Sequence, residues 1–165
     1  MRGEECRFEV EELLYREAYY LDTRDWDRWL ALFTEDVRFW MPAWVSEDVL
    51  ASDPETELSM IYCDGIETLA DRVFRIRTED SFASFPLPRS CHVIGNVLVL
   101  ESGEDEIVAS AAWTVHQYLT AKGPRVYGGR YEYGLRRAEG ELRIAVKKII
   151  FLNDAVDVPI DVYNI

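Results

Sequence analysis

The apolar residues of this chain change their spacing near residue 89, and that change limits the folds that the chain can adopt. Before this point they recur every three or four positions, which is typical of helices with one buried face. After it they alternate in long runs separated by Gly-containing turns, which is typical of antiparallel strands joined by hairpins. The order predicts an α+β fold in one domain, 1–165, with helices in about 7–80 and a sheet in about 89–165.

Three helices are predicted in the first half of the chain. The first has one apolar face that runs from Phe8 to Leu21. The second begins after Asp25, whose side chain suits the N-cap position, and it includes Phe33. The third helix is predicted over about 66–78, directly after an Asp-Gly turn.

The remaining segments are predicted to form strands and loops. Between the second and third helices we expect a short strand over 37–41 and an irregular, acidic loop over 43–60. Gly95, Gly128 and Gly129 lie inside predicted strands and favour a curved sheet with bulges, which would wrap the helices as a cone. The strands are predicted at 89–100, 107–120, 126–136 and 142–152, with a strand-like tail at 156–165.

Charge and cysteine usage limit the partners and the compartment. The chain has 18 basic and 31 acidic side chains, a net charge of −13, which disfavours binding to nucleic acids and to anionic membranes. Three cysteines without paired spacing indicate a reducing compartment. No apolar run is typical of a signal peptide or a membrane span, so a cytoplasmic protein is predicted.

Metal and nucleophile chemistry have little support in the sequence. A Rieske cluster needs two cysteines and two histidines in paired motifs, and this chain has only two histidines, His92 and His116. An iron site built from these two and a carboxylate is formally possible but needs them to converge. Cys91 precedes His92, but neighbouring strand residues point to opposite faces, so we interpret Cys91 as a small buried apolar residue.

One acid–base pair remains a candidate. Asp22 or Asp25, near the predicted mouth of the cone, could face His92, with Tyr15 or Tyr19 nearby. A carboxylate that orients an imidazole can tune it as a general base for an elimination or an isomerisation. The alternative is that Asp25 caps a helix and His92 is a satisfied strand residue, and the sequence alone leaves both open.

Four arginines stand out in so acidic a chain. They could form surface ion pairs with neighbouring acids or an intersubunit clamp, since guanidinium groups suit interfacial carboxylates. The arginines are Arg72, Arg75, Arg77 and Arg89, and the neighbouring acids are Glu67, Asp71 and Glu79.

Six segments resemble the β subunits of Rieske-type aromatic-ring-hydroxylating dioxygenases. One carries the pattern Arg-x-x-His-x-Ile-x-Asn from residue 89, another reads Phe-Trp-Met-Pro-Ala-Trp over 39–44, and the ending reads Asp-Val-Tyr-Asn-Ile. The last two are most similar to the benzoate and anthranilate dioxygenase branch. The six segments are 25–33, 36–44, 71–79, 88–97, 147–154 and 160–165.

This resemblance implies a fold and a function. The fold would be the cone shared with nuclear transport factor and scytalone dehydratase. The chain would be a non-catalytic subunit that binds a large α subunit and trimerises within an α3β3 hexamer. The α subunit would carry the Rieske 2Fe-2S cluster and the mononuclear Fe(II), with electrons from NADH through a separate reductase. The reaction would be the cis-dihydroxylation of an aromatic acid such as benzoate or anthranilate.

The interface of such a subunit is predicted to include large aromatic residues and the arginines. Trp40, Trp44 and Tyr163 are the aromatic candidates, and truncating Trp44 or removing residues 163–165 is predicted to weaken assembly but to leave a folded chain. The alternative function is a stand-alone cone-fold lyase or isomerase that uses His92 with an aspartate.

Overall fold

The chain forms a six-stranded sheet with helices packed on one face. The computed structural model describes residues 2–78, 86–120, 122–153, 156 and 158–165. The helices are α1 (Arg2–Thr23), α2 (Trp26–Leu30) and α3 (Ile66–Arg77), followed late in the chain by a 3₁₀ turn (Val162–Asn164). The strands are β1 (Phe33–Pro42), β2 (Ser59–Asp64), β3 (Arg89–Ser102), β4 (Glu106–Leu119), β5 (Gly123–Ala138) and β6 (Glu141–Phe151).

The strand order is β2-β1-β6-β5-β4-β3. Strands β3 to β6 form the predicted antiparallel meander, and β1 pairs parallel with β6 and antiparallel with β2. The sheet is therefore not confined to 89–165. Two strands from the first half extend it beyond β6, which makes it mixed but mainly antiparallel.

Two features of the first half differ from the prediction. The irregular loop predicted over 43–60 is confirmed over 43–58, but it ends where the unpredicted strand β2 begins, and the six residues of β2 are too few for their alternation to stand out beside an acidic segment. Phe33 does not belong to α2 but begins β1, because it alternates with buried Val37 and Phe39 along that strand. A short apolar run fits both periods, and the pairing of β1 with β6 decides between them.

The core lies between α1 and the inner face of the sheet. Along β4 the buried positions alternate regularly and include Trp113 and Val115. The Trp113 ring stacks on Tyr131 of β5 with ring centroids 5.1 Å apart, and Phe151 of β6 lies 6.0 Å from Trp113. Stacked rings contribute packing beyond the area that they bury, so this side of the cone is filled by the chain's own side chains.

Glycines shape the long strands in two ways. The β3–β4 register shifts between Gly95 and Leu98, where Asn96 has φ 50°, so the bulge predicted near Gly95 is confirmed. Gly129 meets a different constraint, because a Cβ there would lie 1.9 Å from the carbonyl oxygen of Ile150. Only a residue without a side chain allows β5 and β6 to pair at this position.

The tail is not the predicted strand. Residues 162–164 form the 3₁₀ turn, and Tyr163 and Ile165 are buried inside the chain's own core. Asp161 caps the turn, since Val162 N donates to its carboxylate and Asp161 N donates to the Asn164 side chain, both at 2.8 Å. These reciprocal bonds satisfy the amides that a strand ladder would otherwise pair. Removing residues 163–165 would therefore open the core, which contradicts the expectation of an undisturbed fold.

The close approach at Gly129 predicts a position-specific cost. Gly129→Ala should lower the free energy of unfolding by about 3 kcal/mol or more, because the methyl group must displace backbone. Gly95→Ala is the matched control, since a Cβ there meets nothing within 4 Å. Urea unfolding followed by circular dichroism measures both, and equal losses in the two variants would contradict this account of Gly129.

Candidate functional site

The structure brings Asp22 and His92 together. Asp22 lies near the end of α1, and its carboxylate accepts a bond from the His92 backbone N–H at 2.9 Å. The other carboxylate oxygen lies 2.6 Å from His92 Nδ1. In a neutral imidazole, a bond donated from Nδ1 to the carboxylate leaves Nε2 as the acceptor nitrogen. This is the arrangement of an oriented general base.

Access to this pair is closed. The His92 side chain is 1% exposed, and its Nε2 is buried with no hydrogen-bond partner in the described chain. A general base must come within hydrogen-bond reach of the proton that it removes, and no substrate reaches Nε2 in this conformation. The Asp22–His92 pair therefore has the geometry of a general base, but a substrate has no route to His92 Nε2.

The other members of the predicted acid–base site lie elsewhere. Asp25 caps α2 by accepting from Arg28 N at 3.4 Å, and it pairs with the Arg28 guanidinium at 3.5 Å. Tyr19 is 63% exposed and Tyr15 46% exposed, so both phenols face solvent. Tyr131 is one of several buried tyrosines; burial raises its pKa, and the nearby Asp22 carboxylate is among the charges that raise it further.

The second histidine and Cys91 lie on the outer face of the sheet. Cys91 is exposed and stands opposite His116 in the β3–β4 ladder, so the prediction that Cys91 is buried is wrong. Alternation along β3 puts Cys91 outside because it puts His92 inside. The two histidines thus occupy opposite faces and do not fit a shared iron site. Among the described residues, no three His, Cys, Asp or Glu side chains come together as a metal site.

One buried ion pair was not predicted from the sequence. Lys147 on β6 donates to Glu17 on α1 at 2.7 Å, and both side chains are almost fully buried. The Tyr133 hydroxyl donates to the second Glu17 oxygen at 2.8 Å, and the Lys147 ammonium lies 4.0 Å from the centroid of the Tyr131 ring. Burial lowers the pKa of Lys147, and the Glu17 carboxylate opposes that shift.

The spacing of the apolar residues around Glu17 and Lys147 contains the information that predicts this pair. Glu17 falls on the same helical face as Leu13, Leu14 and Leu21, all of which are buried. Lys147 occupies an inward position of β6 between Ala145 and Ile149. A charge of each sign within two buried stripes predicts a buried pair, because an unpaired buried charge is too costly to keep.

The four arginines have separate surroundings. Arg72 pairs with Asp161 at 3.3 Å and Arg77 with Asp27 at 2.7 Å, so their partners are not Glu67 or Asp71, and Glu79 lies outside the described residues. Arg75 is exposed on α3. Arg89 belongs to β3, where its guanidinium lies 5.0 Å from the Tyr118 ring centroid.

The three aromatic interface candidates differ in accessibility. Trp40 is partly exposed, and its indole donates to the Ser59 hydroxyl at 2.8 Å. Trp44 is also partly exposed and donates to the carbonyl of Phe151 at 2.8 Å. Tyr163 is 6% exposed and packs within its own chain, so its side chain presents no surface to a neighbour.

Comparison with known proteins identifies the family. The protein-family model described as "Ring hydroxylating beta subunit" matches residues 16–158. The chain belongs to this family. It is 38% identical to the 2-halobenzoate 1,2-dioxygenase small subunit of Burkholderia cepacia, over 98% of both chains. It is 36% identical to the anthranilate 1,2-dioxygenase small subunit of Acinetobacter baylyi, again over 98% of both.

Solved structures confirm the fold. The β subunit of the benzoate 1,2-dioxygenase from Burkholderia mallei superposes with a TM-score of 0.77 at 33% identity, over 94% of this chain and 95% of that one. A protein provisionally assigned as a scytalone dehydratase from Novosphingobium aromaticivorans has a TM-score of 0.70 at 15% identity, over 98% and 95%. The predicted cone fold and the benzoate and anthranilate branch of the resemblance are thus confirmed. The comparisons support the β subunit over the stand-alone lyase or isomerase.

The Glu17–Lys147 pair predicts a strongly non-additive pair of mutations. Glu17→Gln should cost about 3–5 kcal/mol of unfolding free energy, because it leaves a buried ammonium without its counterion. The double variant Glu17→Gln, Lys147→Met should cost less than Glu17→Gln alone, because it removes both charges. A double-mutant cycle by urea unfolding measures the coupling, and additive costs would show that the two charges do not interact.

The buried phenols predict a loss of stability at alkaline pH. Burial, reinforced by the Glu17 charge, raises the pKa of Tyr131 well above its ordinary value of 10.0. Above about pH 10 the unfolded state therefore loses a proton that the folded state keeps, and stability falls by up to about 1.4 kcal/mol per pH unit. Tyr131→Phe keeps the ring and removes this proton, so the stability of the wild-type chain should fall more steeply.

Comparing the wild-type chain with Tyr131→Phe isolates the contribution of the Tyr131 phenol to the pH dependence of stability. Lys147 contributes with the opposite sign, because its pKa is lowered in the folded state, but it is present in both proteins and cancels in the difference. Urea unfolding at several pH values between about 9 and 11.5 gives the two slopes. Parallel slopes would mean that the Tyr131 phenol ionises in the folded chain.

Proposed function

We propose that this chain is the non-catalytic, structural β subunit of the terminal oxygenase component of an aromatic-ring dioxygenase. Its partner is a large α subunit that carries the Rieske cluster and the mononuclear iron and receives electrons from NADH through a separate reductase. The reaction of the assembly is the cis-dihydroxylation of an aromatic acid such as benzoate or anthranilate, as the names of the relatives suggest. The cytoplasm is the proposed location, which the three free cysteines favour.

The filled interior of the cone is the observation that carries a structural role. Trp113, Tyr131 and Phe151 stack across the inner face, and the buried Glu17–Lys147 pair lies against the Tyr131 ring. Ligand sites are concave and mostly preformed. The interior instead resembles a packed protein core, which supports binding through the outside of the cone.

The outer face of the sheet offers such a surface. Three neighbouring strands present an apolar set that we call the outer patch: Val93 on β3, Tyr118 on β4 and Val126 on β5. These side chains are 49%, 47% and 56% exposed. The exposed His116 and Cys91 lie among them, since Val126 stands opposite His116 and His116 opposite Cys91. Exposed apolar side chains that share one face are typical of interaction sites. We assign the outer patch, with Arg89 beside Tyr118, to contacts in the assembly.

The surroundings of the remaining interface candidates show which of them are accessible to a partner. Trp40, Trp44 and Arg75 are accessible and stay candidates for contacts with the α subunit or with neighbouring copies in an α3β3 hexamer. Arg72 and Arg77 are engaged within the chain by Asp161 and Asp27, so their contribution to a contact would be indirect. No helix among the described residues has the length and apolar character needed to cross a membrane.

The native mass and the iron content of the protein from its source cells test this function. Co-elution of the chain with a larger, iron-containing subunit in equal amounts is the expected result. A species that contains this chain alone and shows a lyase or isomerase activity lost in His92→Ala would contradict it.

The outer patch predicts which surface change disrupts assembly. Val126→Glu should weaken association with the partner subunits at least about tenfold, because an unpaired carboxylate would be buried at the contact. Val126→Thr keeps the branched shape without the charge and serves as the control. Native mass spectrometry of the co-expressed subunits measures both, with circular dichroism to verify folding. An intact assembly with Val126→Glu would remove the outer patch from the interface.

A further inference from the structure

The outer face of the sheet contains a pocket at the edge opposite the outer patch, which we call the β1 pocket. Its volume is about 230 Å³. The lining includes Arg38 and Trp40 of β1, Tyr62 of β2, and Val146 and Lys148 of β6, with part of the 43–58 loop as one wall. Pockets for drug-sized molecules measure about 300–1,000 Å³, so the β1 pocket suits a smaller ligand with a single ring.

The strand register brings the lining side chains of the β1 pocket together. Trp40 stands opposite Tyr62 in the β1–β2 ladder and opposite Lys148 in the β1–β6 ladder. Arg38 precedes Trp40 by two residues and projects from the same face, because side chains alternate between the two faces of a strand. Phe39, between them, is fully buried on the inner face. Three paired strands therefore place the cations and the rings of the pocket.

Two cations line the pocket, and their surroundings differ. Lys148 Nζ lies 5.1 Å from the centroid of the Trp40 ring and 3.8 Å from a carboxylate oxygen of Glu132. The Arg38 side chain is exposed, and no carboxylate of the described residues forms an ion pair with it, although Asp64 stands opposite Arg38 in the β1–β2 ladder. The N–H groups of a guanidinium form a planar fork that matches a carboxylate. Arg38 can therefore bind an anion from outside the chain.

The acidic side chains of the neighbouring loop are engaged within the loop itself. Asp53 accepts hydrogen bonds from the Glu55 backbone N–H and the Thr56 hydroxyl, both at 2.9 Å. Glu57 accepts from the backbone N–H and the hydroxyl of Ser52. These bonds lower the pKa of both carboxyls, so both are ionised and held by local donors. The loop acids therefore leave the two cations of the pocket available for a ligand.

We propose that the β1 pocket binds a small, planar aromatic carboxylate. The carboxylate of the ligand pairs with Arg38 and Lys148, and its ring packs against Trp40 and Tyr62. A charge-assisted bond to a guanidinium fork is stronger than a bond between neutral groups, and contact between aromatic rings adds to the attraction. An acidic side chain of a protein partner would supply the carboxylate but not the ring. The pocket is therefore assigned to a ligand that has both.

The indole N–H signals of the five tryptophans give a residue-specific assay by nuclear magnetic resonance. Trp40 lines the pocket, whereas Trp44 is also partly exposed but lies outside the lining and serves as the internal control. The variant Trp40→Phe assigns the Trp40 signal. In the full-length chain, benzoate should shift the Trp40 signal and leave the Trp44 signal in place, with a Kd of about 1 mM or lower. No shift at several times that concentration would overturn the proposal.

Removing the guanidinium should weaken binding selectively. Arg38→Gln should raise the Kd for benzoate at least about tenfold, because the ligand loses its charge-assisted bonds. Arg28→Gln removes the same charge from α2, on the helical side of the sheet, and should leave the Kd unchanged. Both side chains are exposed, so both variants should fold, which circular dichroism verifies. A Kd for Arg38→Gln equal to that of the wild-type chain would contradict the assigned role of Arg38.

Two further molecules separate the contribution of the charge from that of the ring. Benzamide has nearly the shape of benzoate without its charge and should bind at least about tenfold more weakly. Propionate keeps the carboxylate without the ring and should bind at least about threefold more weakly. Equal binding of benzamide and benzoate would refute the carboxylate contact. Equal binding of propionate and benzoate would mean that a carboxylate alone fills the site, as an acidic side chain of a partner could, and would overturn the assigned ligand. These measurements use the chain without partner subunits, so their failure would leave the native-mass test of the proposed assembly unaffected.

Discussion

The ion pair between Glu17 and Lys147 joins α1 to the strand on which the sheet depends. Strand β6 connects the antiparallel meander to β1, and through β1 to β2, so it is the seam between the two halves of the chain. A buried pair is a weak source of net stability but a strict constraint on position, since either charge alone would be costly. Tyr133 and the Tyr131 ring complete its surroundings. The pair therefore ties one position of α1, Glu17, to one position of β6, Lys147.

The same constraint explains why the cone is not an open cleft. The rings that surround Lys147 are continuous with the Trp113 stack, which occupies the inner face across β4, β5 and β6. The cone retains an aspartate oriented on a histidine, yet Nε2 has no route to solvent in the described chain. A fold does not imply a function, and here the interior is occupied by packed side chains rather than by a ligand site.

Much of this architecture could be predicted from the sequence because period and turns are local signals. The prediction of 66–78 for α3 compares with Ile66–Arg77, and the second-half strands were placed within a few residues. Strand β2 and the tail could not be placed because their structure depends on distant partners, β1 for the strand and Gln117 for the turn. The Asp22–His92 contact could be suggested but not decided, since its existence depends on where α1 ends against β3. Local patterns also gave no account of arginine partners as remote as Asp161 and Asp27.

The position of Tyr163 connects these points. As a large aromatic in a family-like tail it resembles an interface anchor, but its burial makes it part of the chain's own core. A tail that packs inward removes an aromatic anchor from the surface and adds it to the packed interior. Contacts with partners are then proposed through side chains that stay accessible, among them the outer side chains of β3, β4 and β5 and the partly exposed Trp40 and Trp44. In this chain the filled interior and the inward-packed tail are thus two consequences of one packing arrangement.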